Sequence, residues 1–223
     1  MLTLPLSRPD GQPLSVLCLG AHCDDIEIGC GATLLTLAEQ SAINVHWQVF
    51  TSTPERRLEA EAGAKAFGSA ARELSVEILD FRDGFLPYEG TAVKEAFEAL
   101  KQRVQPDLIF THYGRDAHQD HRLVSELTWN TFRNHLVLEY EIPKWDGDLG
   151  QPSVFCAVDA ETAARKIALL QQTYNSQNQK RWFTDDLFHS LMRIRGMEAN
   201  APANLAEAFF ARKLSLGPGH AQR

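Results

Sequence analysis

The sequence is poor in cysteine, in clustered basic residues and in long apolar runs, and each shortage excludes a class of protein. Four cysteines in 223 residues, with no CxxC pair, do not form the framework of a disulfide-rich scaffold. Lysine and arginine number 22 against 29 acidic residues, which argues against nucleic acid as a partner. No segment approaches 18 consecutive apolar residues, so no membrane insertion is expected. These absences predict a soluble, cytoplasmic protein with reduced thiols.

The chain also lacks internal boundaries. No Pro/Gly/Ser-rich linker, repeat or low-complexity stretch divides it, and 44% of its residues are hydrophobic, ample for a buried core. We therefore predict a single domain over residues 1–223. The sequence leaves the oligomeric state open, a homo-oligomer included.

Short apolar runs alternate with helical patterns along the chain, which is typical of βαβ units. The predicted fold is α/β, a Rossmann-like, doubly wound, mostly parallel sheet with helices on both faces. The predicted strands are 14–19, 44–51, 76–79, 108–111, 136–142 and 154–158. The predicted helices are 31–40, 55–67, 91–104, 121–132, 161–174 and 203–211.

A first polar cluster follows the first predicted strand. His22, Cys23, Asp24 and Asp25 stand there, beside a predicted Gly-Cys-Gly turn at residues 29–31. His22 and Asp25 are three residues apart, a spacing that a tight turn or a first helical turn can fold onto one ion. Because neighbouring side chains diverge, Asp24 would then stay uncoordinated and could serve as a general base.

A second polar cluster follows the strand predicted at 108–111. It contains His112, Asp116, His118, Asp120 and His121. Catalytic zinc takes three nitrogen or oxygen ligands from the protein and keeps one position open, so only one more ligand is needed. Either His121 or His118 can supply it, leaving the other to stabilise charge on a reacting oxygen.

Two other interpretations compete with a metal site. The carboxylates at 24 and 25 could cap a helix, and residues 29–31 could belong to a nucleotide-binding loop. The G-x-G-x-x-G pattern is incomplete, however, since position 34 is Leu. Ligands of doubly wound folds bind beyond the carboxyl ends of the strands, and two His/Asp clusters at such ends favour the metal site.

The two clusters together resemble the zinc-dependent PIG-L/LmbE-like N-deacetylases. The family pattern A-H-P-D-D-E-x-x-G-x-G is similar to A-H-C-D-D-I-E-I-G-C-G at residues 21–31, and H-x-D-H is similar to H-Q-D-H at residues 118–121. Weaker matches at residues 56–68 and 195–209 extend the likeness over most of the chain.

The resemblance implies a Rossmann-like fold and a metal-dependent reaction. It implies that His22, Asp25 and His121 bind Zn2+ and that Asp24 is the general base. His118 would stabilise or protonate the tetrahedral intermediate. The expected activity is removal of the N-acetyl group from an amino sugar or sugar conjugate, with release of acetate.

Three further roles follow from the same resemblance. Asp120 would orient His118 from behind, and Arg56 and Asp83 would contact sugar hydroxyls. The expected partner is thus a small N-acetylated sugar or sugar conjugate.

The chain departs from the family pattern at three positions near these motifs. Cys23 replaces a proline, Ile26 replaces a glutamate, and Asp116 stands where some members place a tyrosine. Tyr113 is the nearest phenol along the chain.

Residues 138–148 mix aromatic and charged side chains. This composition suits a substrate entrance and equally a contact between subunits. Two rival functions also remain open: another metallohydrolase using the same three ligands, and a nucleotide-binding module in which the acidic cluster is a cap.

Overall fold

One seven-stranded sheet organises the computed structural model, which describes residues 3–8 and 10–215. The strands are β1 Leu14–Gly20, β2 Ile43–Thr51, β3 Glu73–Phe81, β4 Leu108–His112, β5 Leu136–Tyr140, β6 Val154–Ala157 and β7 Ala206–Phe210. The helices are α1 Asp25–Gln40, α2 Pro54–Phe67, α3 Gly90–Arg103, α4 Gln119–Thr131, α5 Ala160–Thr173 and α6 Asp185–Glu198. Short 3-10 turns cover Leu86–Glu89 and Asn175–Gln177.

The strand order is β3-β2-β1-β4-β5-β7-β6. Strands β1 to β5 are mutually parallel, and β7 runs antiparallel to both of its neighbours. The predicted α/β fold with a mostly parallel sheet is thereby confirmed. The chain reverses its direction of sheet growth between β1 and β4, and such a switch point opens a crevice at the carboxyl ends of the strands.

Strand β1 lies at the centre and shows why the sheet carries helices on both faces. Val16 and Cys18 pack into one apolar cluster, while Leu17 and Leu19 point into the other. Side chains alternate across a strand, so a continuous apolar run is stable only where both faces are covered. Each fully buried leucine contributes about 1.5–3 kcal/mol.

The helix predicted at 203–211 is wrong, because these residues contain strand β7. The alanine-rich segment has good helix propensity. Its backbone nevertheless completes the sheet by pairing with β5 and β6, and tertiary pairing outweighs a local preference of a few tenths of a kcal/mol per residue. The helix Asp185–Glu198 was not predicted.

The turn predicted at residues 29–31 is also wrong, because helix α1 begins at Asp25 and runs through it. Glycine is unfavourable inside a helix by about 1 kcal/mol. Close packing explains its presence. A Cβ at Gly29 would lie 2.2 Å from the ring of Tyr140, and one at Gly31 would lie 2.6 Å from the ring of Phe67.

All strands of the described residues belong to one continuous sheet. A single domain over residues 1–223 stays a prediction, because residues 1, 2, 9 and 216–223 lie outside the described ranges. None of the helices in the described ranges has the length and apolar character needed to cross a bilayer.

Candidate metal centre

Neighbouring strands bring the two polar clusters together. His22 follows β1 and Asp25 is the first residue of α1, whereas His121 lies in the first turn of α4, after β4. Because β1 and β4 are parallel neighbours, the loops that follow them meet at the switch point of the sheet.

The three predicted ligands lie within reach of one ion. His22 Nδ1 is 3.0 Å from His121 Nε2 and 3.3 Å from Asp25 Oδ2, and His121 Nε2 is 3.5 Å from Asp25 Oδ1. Ligands bound tetrahedrally to zinc at their usual distances are separated by about 3.3–3.6 Å. The donor set and its spacing therefore fit a zinc-sized ion.

Hydrogen bonds at the outer nitrogens determine which atoms face this point. His22 Nε2 lies 3.0 Å from Asp83 Oδ1 and 3.3 Å from Asp120 Oδ2. His121 Nδ1 lies 2.9 Å from Asp116 Oδ2. A carboxylate only accepts, so these outer nitrogens donate. In the neutral rings the inner nitrogens then present lone pairs to each other beside the Asp25 carboxylate, an arrangement that attracts a cation.

The pKa shifts of these groups differ between the two histidines. Burial lowers the pKa of His121 to about 3, so its ring is neutral at physiological pH. Burial raises the pKa of Asp25, but the three surrounding histidines outweigh it and hold that pKa well below its usual value. Burial lowers the pKa of His22, yet Asp25 and its other acidic neighbours raise it well above normal. His121 is therefore ready to bind a cation, whereas His22 must first release the proton on its inner nitrogen.

Asp24 points away from the ligands. It precedes α1 but makes no capping hydrogen bond through its side chain, which contradicts the helix-cap interpretation for this residue. Its Oδ1 pairs with Arg56 at 2.9 Å. Burial raises the pKa of Asp24 although Arg56 lowers it. Adjacent carboxylates with pKa values shifted in opposite directions suit a base beside a ligand.

His118 and Asp120 depart from the expected pairing. The carboxylate of Asp120 accepts hydrogen bonds from the backbone N–H groups of Gly84 and Leu86 and contacts His22. It therefore orients His22 rather than the ring of His118. His118 instead accepts from the Asp120 backbone N–H through Nδ1 at 3.3 Å, which leaves Nε2 as the donor of the neutral ring.

The two predicted substrate contacts both line the cavity but already have partners. Arg56 bonds Asp24, Glu59 and the hydroxyl of Ser176. Asp83 is exposed and contacts His22. A contact with sugar hydroxyls stays a prediction for both.

His112 is a further metal-type side chain that the sequence reasoning left without a role. Three overlapping groups of described residues could hold a metal, and each shares members with the predicted ligands without matching all three: His22, His118 and His121; Asp25, His112 and His121; His22, Asp83 and Asp120. The ring of His112 is buried and stacks on that of His121, and its Nε2 accepts from the Ala21 N–H at 2.9 Å. His112 therefore packs behind His121 and bonds the backbone just before His22, and we interpret it as a residue that positions these two predicted ligands.

A cavity of about 590 Å³ opens over this cluster. Its wall includes Ile142, Lys144 and Trp145, so part of the segment predicted as an entrance does border it. Tyr113 stacks on Phe210 with 3.8 Å between the ring centroids, and it is not among the lining residues.

Asp116 belongs to the second polar cluster of the sequence and Lys144 to the segment 138–148, but the sequence does not predict that the two contact each other behind His121. Asp116 accepts from His121 and from Lys144, each at 2.9 Å. The departure from tyrosine at position 116 was a usable signal. No sequence pattern indicates that Lys144, 28 residues further along the chain, contacts the Asp116 carboxylate.

Comparisons with known proteins identify a matching family and a sequence relative. The family profile described as "PIG-L: GlcNAc-PI de-N-acetylase" matches residues 17–132, just over half of the chain. An uncharacterized deacetylase, YaiS of Escherichia coli (strain K12), is 29% identical over 170 residues, covering 70% of this chain and 89% of its own.

Solved structures extend the likeness to the whole fold. An N,N'-diacetylchitobiose deacetylase from Pyrococcus horikoshii superposes with a TM-score of 0.70 at 19% identity, covering 93% of this chain and 86% of its own. The 4-carboxy-2-hydroxymuconate hydratase GalB from Pseudomonas putida KT2440 gives a TM-score of 0.75 at 19% identity, covering 93% and 100%.

At such identities the structural matches describe the fold, and a hydratase among them illustrates that one fold carries several activities. The sequence profile is the specific finding, and it spans the motifs at residues 21–31 and 118–121. The chain belongs to the PIG-L family of de-N-acetylases.

Proposed function

We propose that this protein is a zinc-dependent N-deacetylase that hydrolyses the N-acetyl group of an amino sugar or sugar conjugate and releases acetate. In this proposal His22, Asp25 and His121 hold Zn2+. Asp24 is the general base and His118 the group that stabilises the reacting oxygen.

One observation carries the proposal. Two imidazole nitrogens face each other at 3.0 Å beside a carboxylate, while the next carboxylate, that of Asp24, turns away towards Arg56 and into the cavity. Three candidate donors around one point, and a further carboxylate outside that set, are the components of metal-assisted hydrolysis.

The chain's own residues suit the steps of amide hydrolysis. Bound zinc would polarise the amide carbonyl and ease deprotonation of water. Asp24, whose pKa is raised by burial, takes a proton from the attacking water. His118 Nε2–H donates to the oxygen on which charge collects. Asp24 or His118 then gives a proton to the amide nitrogen as the C–N bond breaks, which releases acetate and the free amine.

The lining of the cavity suits a small sugar as the substrate. Its wall carries Trp145 and Trp182 together with charged side chains on several loops. Aromatic faces and polar groups around a concave site are typical of carbohydrate and other small-molecule recognition. Arg56 and Asp83 are our candidates for contacts with sugar hydroxyls.

Zinc analysis coupled to an acetate-release assay tests the proposal. The purified protein is offered N-acetylglucosamine, N,N'-diacetylchitobiose and nucleotide-linked or lipid-linked N-acetyl sugars, and loss of an acetyl group is followed by mass. We expect one zinc per chain and acetate release from at least one class. Zinc without acetate release, or phosphate release from ester substrates instead, contradicts the proposed reaction.

Two substitutions separate the proposed roles. Asp24→Ala should keep zinc while turnover falls at least ~100-fold, because general base catalysis contributes about 10²–10⁴. His121→Ala should lose the metal. Asp186→Ala and His189→Ala, both exposed on α6, are matched controls and should change neither property. Full turnover in the Asp24 variant would reject the base.

A further inference from the structure

Asp116 is buried behind the candidate metal site and uses both carboxylate oxygens. It is 3% exposed. Its Oδ2 accepts from His121 Nδ1 at 2.9 Å and from Lys144 Nζ at 2.9 Å, and its Oδ1 accepts from the His118 backbone N–H at 2.7 Å. The carboxylate thus joins an imidazole, an ammonium group and the loop before α4.

The contact with His121 determines a tautomer. A neutral imidazole carries its proton on one nitrogen only. Because the Asp116 carboxylate requires a donor, that proton stays on Nδ1, and Nε2 keeps a lone pair directed at His22 and Asp25. Carboxylates behind metal-binding histidines act in this way in many metalloenzymes.

Lys144 connects the same carboxylate to the wall of the cavity. Its side chain is 9% exposed and also contacts Asp148 Oδ2 at 2.5 Å. Asp148 in turn accepts from the backbone N–H of Ala117 at 2.6 Å. Lys144 and Asp148 therefore fasten the loop after β5 to the loop before α4.

The fastened loop carries an aromatic side chain of the cavity wall. Trp145 follows Lys144 directly, lines the cavity and is 73% exposed. An exposed indole on an irregular loop keeps its place only if the backbone beside it is held. In the described chain, the Lys144 contacts to Asp116 and Asp148 supply that anchor.

We infer that Asp116 and Lys144 are positioning residues that couple the metal-binding geometry of His121 to the substrate-facing loop around Trp145. Asp116 orients the imidazole, and Lys144 neutralises the buried carboxylate and ties the loop to it. The inference rests on the proposed metal centre, and it assigns a function to the position where this chain departs from the tyrosine of similar sequences.

Asp116→Asn tests the first half by metal affinity and by tautomer. An amide has the same shape but can also donate to Nδ1, which would move the ring proton to Nε2. We expect zinc affinity, measured by chelator competition, to fall about 10–100-fold. In metal-free protein labelled with ¹⁵N-histidine, the His121 signals should shift away from the Nδ1–H tautomer.

Glu207→Gln is the matched control, because it changes another buried carboxylate paired with a lysine, at 2.6 Å, outside the candidate site. It should leave zinc affinity within about twofold and the His121 signals unchanged. Circular dichroism confirms that both variants fold. A folded Asp116→Asn protein with unchanged zinc affinity and tautomer overturns the inference, whether or not acetate is released.

Lys144→Met and Lys144→Arg test the second half. Hydrogen exchange should rise in residues 143–148 of the Met variant, with KM increased about tenfold and zinc affinity lowered less than in Asp116→Asn. The Arg variant should restore slow exchange. Unchanged exchange and KM in Lys144→Met refute the coupling. If the unsubstituted protein binds no zinc, both the proposed function and this inference are rejected.

Discussion

At the scale of single residues, environment separates side chains that are chemically identical. Asp24 and Asp25 are adjacent, yet one pairs with Arg56 and the other lies among three histidines. Burial raises the pKa of the first, and the histidines hold that of the second below its usual value. Their spacing in the motif predicts this division, because consecutive side chains diverge. Their partners become visible only in the fold.

Cys23 shows how a departure from the motif is accommodated. The thiol is 2% exposed, and its Sγ donates to the carbonyl of Thr51. Burial raises its pKa to about 12. The thiolate, which is the reactive form, is therefore nearly absent at neutral pH, despite the position of Cys23 between a predicted ligand and the predicted base.

We accordingly expect Cys23 to resist alkylation. In native protein treated with iodoacetamide at pH 8, peptide mass spectrometry should find it unmodified, and its reactivity should rise only as the pH approaches 12. In denaturant all four cysteines should react. Rapid modification of Cys23 in the folded protein at pH 8 would contradict its burial.

At the scale of elements, helix α1 is held by a carboxylate on β7, the last strand of the sheet in chain order. Glu207 on β7 accepts from the backbone N–H groups of Ala32 and Thr33, and it pairs with Lys166 at 2.6 Å. Lys166 also donates to the carbonyl of Ile28, the ordinary helical acceptor for Ala32. This contact stabilises the middle of α1, about two turns beyond Asp25.

Removing the Glu207 carboxylate should destabilise the fold. Glu207→Ala leaves a buried ammonium group and two backbone donors without their partner, so we expect the free energy of unfolding to fall by about 3–5 kcal/mol. Urea unfolding followed by circular dichroism measures it.

The double substitution Glu207→Ala with Lys166→Met is the control. It should cost less than the sum of the single changes, because each removes the penalty that the other creates. Strict additivity would show that the two groups do not interact.

At the scale of the whole molecule, the candidate site exists because parallel strands deliver their following loops to one edge. His22 comes from the loop after β1 and His121 from the helix after β4, 99 residues apart in the chain. An ion held by both joins distant segments. It binds the folded state and not the unfolded chain, so it stabilises the fold by mass action.

Zinc should therefore raise the melting temperature. At a free concentration 100 times the dissociation constant the gain is about 2.7 kcal/mol, which corresponds to roughly 5–10 °C for a chain of this size. Thermal scans with zinc and with chelator measure the difference.

The His121→Ala protein provides the comparison. Its melting temperature should be the same with zinc and with chelator. An unsubstituted protein with equal melting temperatures in both conditions would speak against a site built from these ligands.

The sequence by itself determined the fold class and the candidate residues of the site. Apolar runs alternating with helical patterns reflect burial on both faces of a parallel sheet, which is a local property of each segment. The two His/Asp motifs likewise carry their ligand types and spacing in a few consecutive residues.

Only the tertiary structure decided which residues and strands contact each other. Strand β7 pairs with the sheet against its helix propensity, Asp120 contacts His22 instead of the ring of His118, and Lys144 reaches Asp116. Each depends on contacts between residues far apart in the chain. The energies of such contacts exceed local preferences, and no local pattern encodes them.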